Sequence, residues 1–464
     1  MIRLTLDQIA VAVGGEIRGS GSVLVTSSVE TDSRLVTAGS LFVAKPGELT
    51  DGHNFIGAAK AAGAVAAIVE HFVEDAIPQV KVANSVRALG LLAEFVLQRV
   101  RQQGDLKVVG VTGSNGKTTT KNMLRAILSQ VGNTIAPIES FNNEVGAPTS
   151  ILRIDENTRF LVVEMGAAGV GSIRYLARMT KPDVGIVLKV GMAHVGEFGS
   201  VETTAAIKGE LVEELESEAK LILNADDGYV RDMESKWKVK PIWFGTSNSD
   251  FQASEVSLTD SGTSFRMHWP DGESKTVALQ ILGEHQVMNA LAALAAAEAL
   301  GVSRQVAVQA IEDLPLAERW RMQVFRRTDG VTIINDAYNA SPESMRAALQ
   351  TLAQLGKNGH RTIAVLGEMA ELGQFSPEAH DSIGRLVVRL NIDQLFVIGK
   401  NAKLIHMGAS QEGSWDGESR FFDSIDEAFE PVRGMLVSGD VVLVKSSKSA
   451  NLRHFGDELA EVTV

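Results

Sequence analysis

The chain contains no cysteine. That excludes disulfide staples, thiolate nucleophiles and cysteine-ligated zinc, and it fits a reducing compartment. No apolar run approaches the roughly 18 residues that a bilayer span requires. The opening MIRLTLDQIA has neither an apolar h-region nor a cleavage site. A cytoplasmic protein without a membrane span is therefore expected, acting as a monomer. There is also no basic stripe: the net charge is −13, so nucleic acid is not an expected partner. Attraction for an anionic nucleotide would have to be local, from Mg²⁺, helix ends and a few Lys or Arg. No internal repeat is evident.

With 464 residues, the chain is long enough for about three domains. Residues 1–102 alternate short β-like runs with Ala-rich helical ones. They carry TDSR (31–34) and GSLFVAKPGELTDGHNFI (39–56), polar clusters at the ends of apolar runs. In α/β sheets such ends hold ligands, although plain surface loops read the same way. RQQGDLK (101–107) reads as a polar linker. A second unit extends to residue 316, and a third, 317–464, alternates strand-like and helical runs. That alternation predicts an α/β fold with a parallel sheet covered by helices.

The second unit opens with VVGVTGSNGKTTTKNML (108–124). Strand, glycine loop and helix follow in the order a phosphate cradle needs. Gly113, Ser114, Asn115 and Gly116 would close backbone N–H groups around phosphate oxygens. Lys117 would reach the β- and γ-phosphates, Thr118 would sit on Mg²⁺, and Thr119 lies in the same helix start. Val111 stands where the Walker pattern wants glycine, so the loop is the shorter G-x-x-G-K-T-T.

Other strand ends carry further chemistry. FLVVE (160–164) ends in Glu164, which is either a carboxylate for Mg²⁺ or half of a salt bridge. His194 stands in GMAHVGEFGS (191–200), as a metal ligand or a structural histidine. Lys208 sits among acidic residues on a helical stretch that, by residues alone, reads as a solvated charged face. His285 and Asn289, four apart, share a helix face. The Asn289 amide could read an adenine edge or simply lie on the surface. Three more polar stretches follow strands in the third unit: DAYNASPESM (336–345), GEMAELG (367–373) and KSSKSANLRHFG (445–456).

Together these stretches resemble the Mur ligase family, in order and over nearly the whole chain. GSNGKTTTK is similar to the ATP loop shared by Mur ligases and folylpolyglutamate synthetases. SFNNEVGAPTSILR (140–153), VVEMGA (162–167), GMAHVGEFGS, RWRMQV (319–324) and DAYNASPESM resemble the branch that adds D-alanyl-D-alanine to UDP-MurNAc-tripeptide. The alternatives are a diaminopimelate- or lysine-adding Mur ligase and a folylpolyglutamate synthetase-like ligase. The resemblance implies an N-terminal α/β UDP-sugar-binding domain (1–102), a central P-loop-type parallel-sheet ATPase domain (103–316) and a C-terminal Rossmann-like domain (317–464). It implies ATP and Mg²⁺ as cofactors. Lys117, His194 and Lys208 become catalytic, with Thr118, Glu164, His194 and a carbamylated Lys208 as metal ligands. Asn289, Arg319 and Asp336 join the phosphate loop around the nucleotide. Ser33, Asn142, Asn143, Asn339, Ser341 and Lys445 face the substrates. Two departures stand out. Gln286 replaces the usual asparagine, and VKSSKS (444–449) replaces V-K-G-S-R-S, exchanging a bidentate Arg for Lys448.

Overall fold

Leu41–Val43 and Ala66–Val69 are short runs with every residue buried, as strands covered on both faces should be. They belong to a five-stranded sheet in the order Glu16–Arg18, Gln79–Lys81, Ala66–Val69, Leu41–Val43, Val29–Glu30. Its pairs are parallel except at the Glu16–Arg18 edge. The computed structural model describes residues 1–464 except 48–49, 75–76, 138–139, 238–239, 260, 316–317, 358, 414–417 and 462–464. Part of the 39–56 stretch and the expected boundary at 316–317 thus lie outside the described residues. The chain divides into two compact units. One holds Met1–Thr112, Leu128–Ile186 and Glu210–Leu221; the other holds Gly113–Ile127, Val187–Gly209 and Ile222–Val464.

In the first unit the helix Ser85–Gln103 is capped by Asn84, whose side chain accepts from the Arg87 amide. It buries Leu89, Leu92, Val96 and Val100, the spacing of one helical face. It also shortens the linker expected at 101–107, because Arg101 to Gln103 are helical and Lys107 already starts a strand. Asp183 ties down both ends of what remains, bonding Arg101 at 2.9 Å and the Val108 amide at 2.8 Å. The strand Lys107–Thr112 pairs in parallel with Phe160–Glu164, which pairs in parallel with Thr134–Ile135. That register sets Glu164 opposite Val111. Val111 is a fully buried strand residue, which is why no glycine is needed there.

In the second unit Ile242–Gly245 pairs in parallel with Lys220–Asn224 and with Phe251–Thr259. The next two strands, Gly262–His268 and Ser274–Leu279, are antiparallel. The expected parallel sheet is therefore extended by antiparallel hairpins. Their half-exposed, alternating residues bury only one face, which antiparallel pairing tolerates. The last section forms a six-stranded sheet: Gln323–Arg326, Thr332–Asn335, Val441–Lys445, Thr362–Leu366, Gln394–Ile398, Ser419–Phe422. All its pairs are parallel except the first. Its strands alternate strictly: Ala364, Leu366, Leu395 and Val397 face one core, while Ile363, Val365, Phe396 and Ile398 face the other. No helix among the described residues is long and apolar enough to cross a membrane.

Candidate active site

The phosphate loop is the four-residue turn between the strand Lys107–Thr112 and the helix Lys117–Leu128. Gly113 and Gly116 have φ of +148° and +89°, a region that favours glycine. Space excludes a side chain as well. A Cβ on Gly113 would lie 2.9 Å from Leu188 Cβ, and one on Gly116 2.3 Å from Asn289 Oδ1. Ser114 locks the loop to the 189–191 segment: its amide donates to the Lys189 carbonyl at 2.7 Å, and its hydroxyl accepts from the Gly191 amide at 2.9 Å. Lys117 Nζ folds back to the Gly113 carbonyl at 2.7 Å. Thr118 and Thr119 are buried.

Asn289 lies beneath this loop. Its Oδ1 accepts from Thr120 Oγ1 at 3.4 Å and its Nδ2 donates to Gln286 Oε1 at 2.8 Å. The surface alternative for Asn289 is overturned, and the amide supports the loop. Its neighbour His285 is held neutral: burial pushes the imidazole down to about 4, outweighing attraction from Asp336.

Two polar stretches of the last section meet the residues around this loop. Ser341 caps the helix Pro342–Gly356 and donates to Asn115 Oδ1 at 3.3 Å. Glu343, in the first turn of that helix, accepts from the Met192 amide at 2.8 Å. His194 adopts φ +62°, a strained conformation of the kind found at functional sites. Its Nδ1 lies 2.7 Å from Glu371 Oε2 and 3.5 Å from Glu197 Oε2. The hydrogen bond from His194 holds the Glu371 carboxyl below its usual range. His194, Glu197 and Glu371 have ligand atoms within 4.8 Å of one another, a donor set suited to a hard divalent cation.

Lys208 corrects the residue-level reading. The helix Val201–Glu214 is not a solvated face there, since Lys208 is 2% exposed and Glu210 is buried too. In the first unit Glu164 is 1% exposed, and its Oε1 accepts from Asn142 Nδ2 at 2.8 Å. Asn143 is spent on a local turn, accepting from the amides of Val145 and Gly146. Ser33 opens a short 3-10 turn capped by Asp32. The Arg34 guanidinium clasps that carboxylate and holds it down to about 2.

Three further expected residues are engaged within the protein. Lys445 Nζ reaches Asp336 Oδ2 at 2.6 Å and the Asn339 carbonyl at 3.0 Å. Asp336 Oδ1 accepts from the Met322 amide at 3.0 Å. Arg319 bonds Asp457 Oδ2 at 3.0 Å, and the same buried carboxylate takes Trp320 Nε1 and Asn335 Nδ2. Sequence reading missed Glu343, Glu371 and Asp457. The first two lie inside stretches it singled out, but Glu343, an acid in a first helical turn, reads only as dipole complement, and Glu371 stands in a bend ahead of the Gly373–Phe375 turn. Asp457 gives no local signal at all.

Three family models match the chain: "Mur ligase family, catalytic domain" over residues 26–96, "Mur ligase middle domain" over 111–297, and "Mur ligase, glutamate ligase domain" over 320–448. The UDP-N-acetylmuramoyl-tripeptide–D-alanyl-D-alanine ligase of Mycobacterium tuberculosis is 38% identical, covering 99% of this chain and 98% of its own. The Escherichia coli ligase of the same description is 34% identical, covering 99% of each. Among solved structures, MurF from Acinetobacter baumannii aligns with a TM-score of 0.89 at 31% identity over 99% of both chains. MurF from Thermotoga maritima, solved with ADP, aligns with a TM-score of 0.81 at 29% identity, covering 95% of this chain and 99% of that one.

Proposed function

Because the chain belongs to the Mur ligase family, with the three-domain architecture of that family, we propose that it joins D-alanyl-D-alanine to UDP-MurNAc-tripeptide at the expense of ATP. The terminal carboxylate of the tripeptide attacks the γ-phosphorus, and ADP leaves. The amine of the dipeptide attacks the acyl carbon, the C–O bond to phosphate breaks, and phosphate departs. Phosphorylation is needed because a free carboxylate is a poor electrophile.

The chain's own part is alignment and charge neutralisation. Lys117 and the amides of 113–116 hold the β- and γ-phosphates. Asn289 keeps Gly116 pressed into its turn. The Arg319–Asp457 and Lys445–Asp336 pairs fix the segments that carry the nucleotide contacts. Asn142 orients Glu164, while Ser33, Asn143, Asn339 and Ser341 are proposed to face substrate. The family resemblance names Thr118, Glu164, His194 and a carbamylated Lys208 as the residues that would hold Mg²⁺, the oxygen donors among them being the kind that a hard cation prefers. Bound there, it would neutralise phosphate charge. We place domain boundaries near 102 and 316. We propose that the chain acts as a monomer, and the nucleotide substrates fit a cytoplasmic enzyme.

The observation that carries the reading is the Ser341–Asn115 bond, which joins the stretch most particular to this branch to the ATP loop. The test is mass-spectrometric product analysis with UDP-MurNAc-tripeptide, ATP, Mg²⁺ and D-alanyl-D-alanine. Phosphate release driven by glutamate or diaminopimelate, and not by the dipeptide, would overturn it.

A further inference from the structure

Glu343 uses only half of its carboxylate. Oε1 accepts from the Met192 amide at 2.8 Å, whereas Oε2 is buried with no hydrogen-bond partner. A buried carboxylate oxygen without a donor is costly, and nothing in the helix forces the side chain inward. At the N-terminal end of Pro342–Gly356 it could have turned to solvent beside the dipole that favours it. It points instead across Gly191, whose missing side chain makes the approach possible: a Cβ there would lie 2.9 Å from Glu343 Cδ. Asn115 shows the complementary pattern. Its Oδ1 takes the Ser341 hydroxyl, while its Nδ2 is buried without an acceptor. An unused acceptor and an unused donor therefore flank the Ser341 contact beside the phosphate loop.

We propose that Glu343 is the residue that receives the amine of the incoming dipeptide, with Asn115 donating to an oxygen of the acyl phosphate beside it. This rests on the ligase reading and adds to it the group that recognises the second substrate. The dipeptide arrives as an ammonium ion, which cannot attack. One of its protons passes to Glu343 Oε2, and the freed lone pair forms the C–N bond. The C–O bond to phosphate breaks with its electrons going to the phosphate oxygen. That oxygen takes the second proton that the nitrogen sheds, so that hydrogen phosphate leaves and the amide keeps one N–H. Oε1 stays on the Met192 amide throughout, so the carboxylate does not swing away.

The test compares two amines on wild-type protein and E343Q, with ATP, Mg²⁺ and UDP-MurNAc-tripeptide. D-Alanyl-D-alanine is largely charged near neutral pH, whereas hydroxylamine is largely uncharged and traps the acyl phosphate as a hydroxamate without a docking carboxylate. Gln keeps the acceptor for Met192 but carries no charge and takes no proton. The expected result is a fall in kcat/KM for the dipeptide of about tenfold or more, with hydroxamate formation within about twofold of wild type. Equal loss with both amines would mean that Glu343 only holds the 191–192 segment, and no loss with either would mean that it does nothing for the amine. Both results overturn the inference alone. No hydroxamate from wild-type protein would bring down the ligase reading and this inference together.

Discussion

Lys445 Nζ and Asp336 Oδ2 lie 2.6 Å apart, with side-chain exposures of 2% and 14%. The pair links the ends of two adjacent parallel strands, Thr332–Asn335 and Val441–Lys445. The family resemblance implies ligand contacts for both residues. Their mutual contact, with the Lys445 bond to the Asn339 carbonyl, also ties down the start of the 336–345 loop that carries Ser341 and Glu343. Removing one partner leaves the other charge buried, at a cost of about 3–5 kcal/mol. Lys445→Met should therefore lower stability by an amount of that order in urea unfolding. The double variant with Asp336→Leu should recover part of it.

Lys117→Ala should abolish product and leave the fold unchanged by circular dichroism. The side chain bonds the loop's own Gly113 carbonyl. A lost charge-stabilising donor is worth about a hundredfold to a thousandfold in rate. Wild-type turnover in this variant would remove the phosphate-loop assignment.

Lys208 is a buried cation position, and carbon dioxide would convert it to an anionic oxygen ligand. Protein equilibrated with ¹³C-bicarbonate should show a carbamate carbon resonance that is absent from Lys208→Ala. That variant should lose most of its activity, and added formate or acetate should restore part of it by supplying the missing carboxylate. An identical ¹³C spectrum for the two proteins would rule the modification out.

His285 gives a pH signature. Its imidazole protonates near 6.5 when unfolded but only near 4 in the fold, because of burial. Between those values the unfolded state binds more protons, so this contribution is intact above about pH 6.5 and is lost as pH falls toward 4. His285→Asn, which cannot ionise there, should show a shallower decline of the thermal midpoint over that window. Parallel declines would contradict the assignment.

The phosphate loop, the strand ending in Glu164 and the alternation of the last section were all legible in the sequence. Each is a local pattern: two glycines before Lys-Thr, an apolar run closed by an acid, strand and helix periods taking turns. The hairpin strands Phe251–Thr259 and Gly262–His268 were not read, because the register shift between Ser254 and Ser257 breaks the apolar alternation of the first strand.

The sequence by itself determined the glycine loop ahead of Lys117 and the family to which the chain belongs. Only tertiary structure decided that Lys208 is buried, that Asn289 turns to Gly116, that Asp457 gathers Arg319, Trp320 and Asn335, and that Glu343 keeps an oxygen in reserve. Glycine torsions and strand periods are properties of neighbouring residues. A hydrogen bond between Asn115 and Ser341, 226 positions apart, exists only once two separately coded segments have packed.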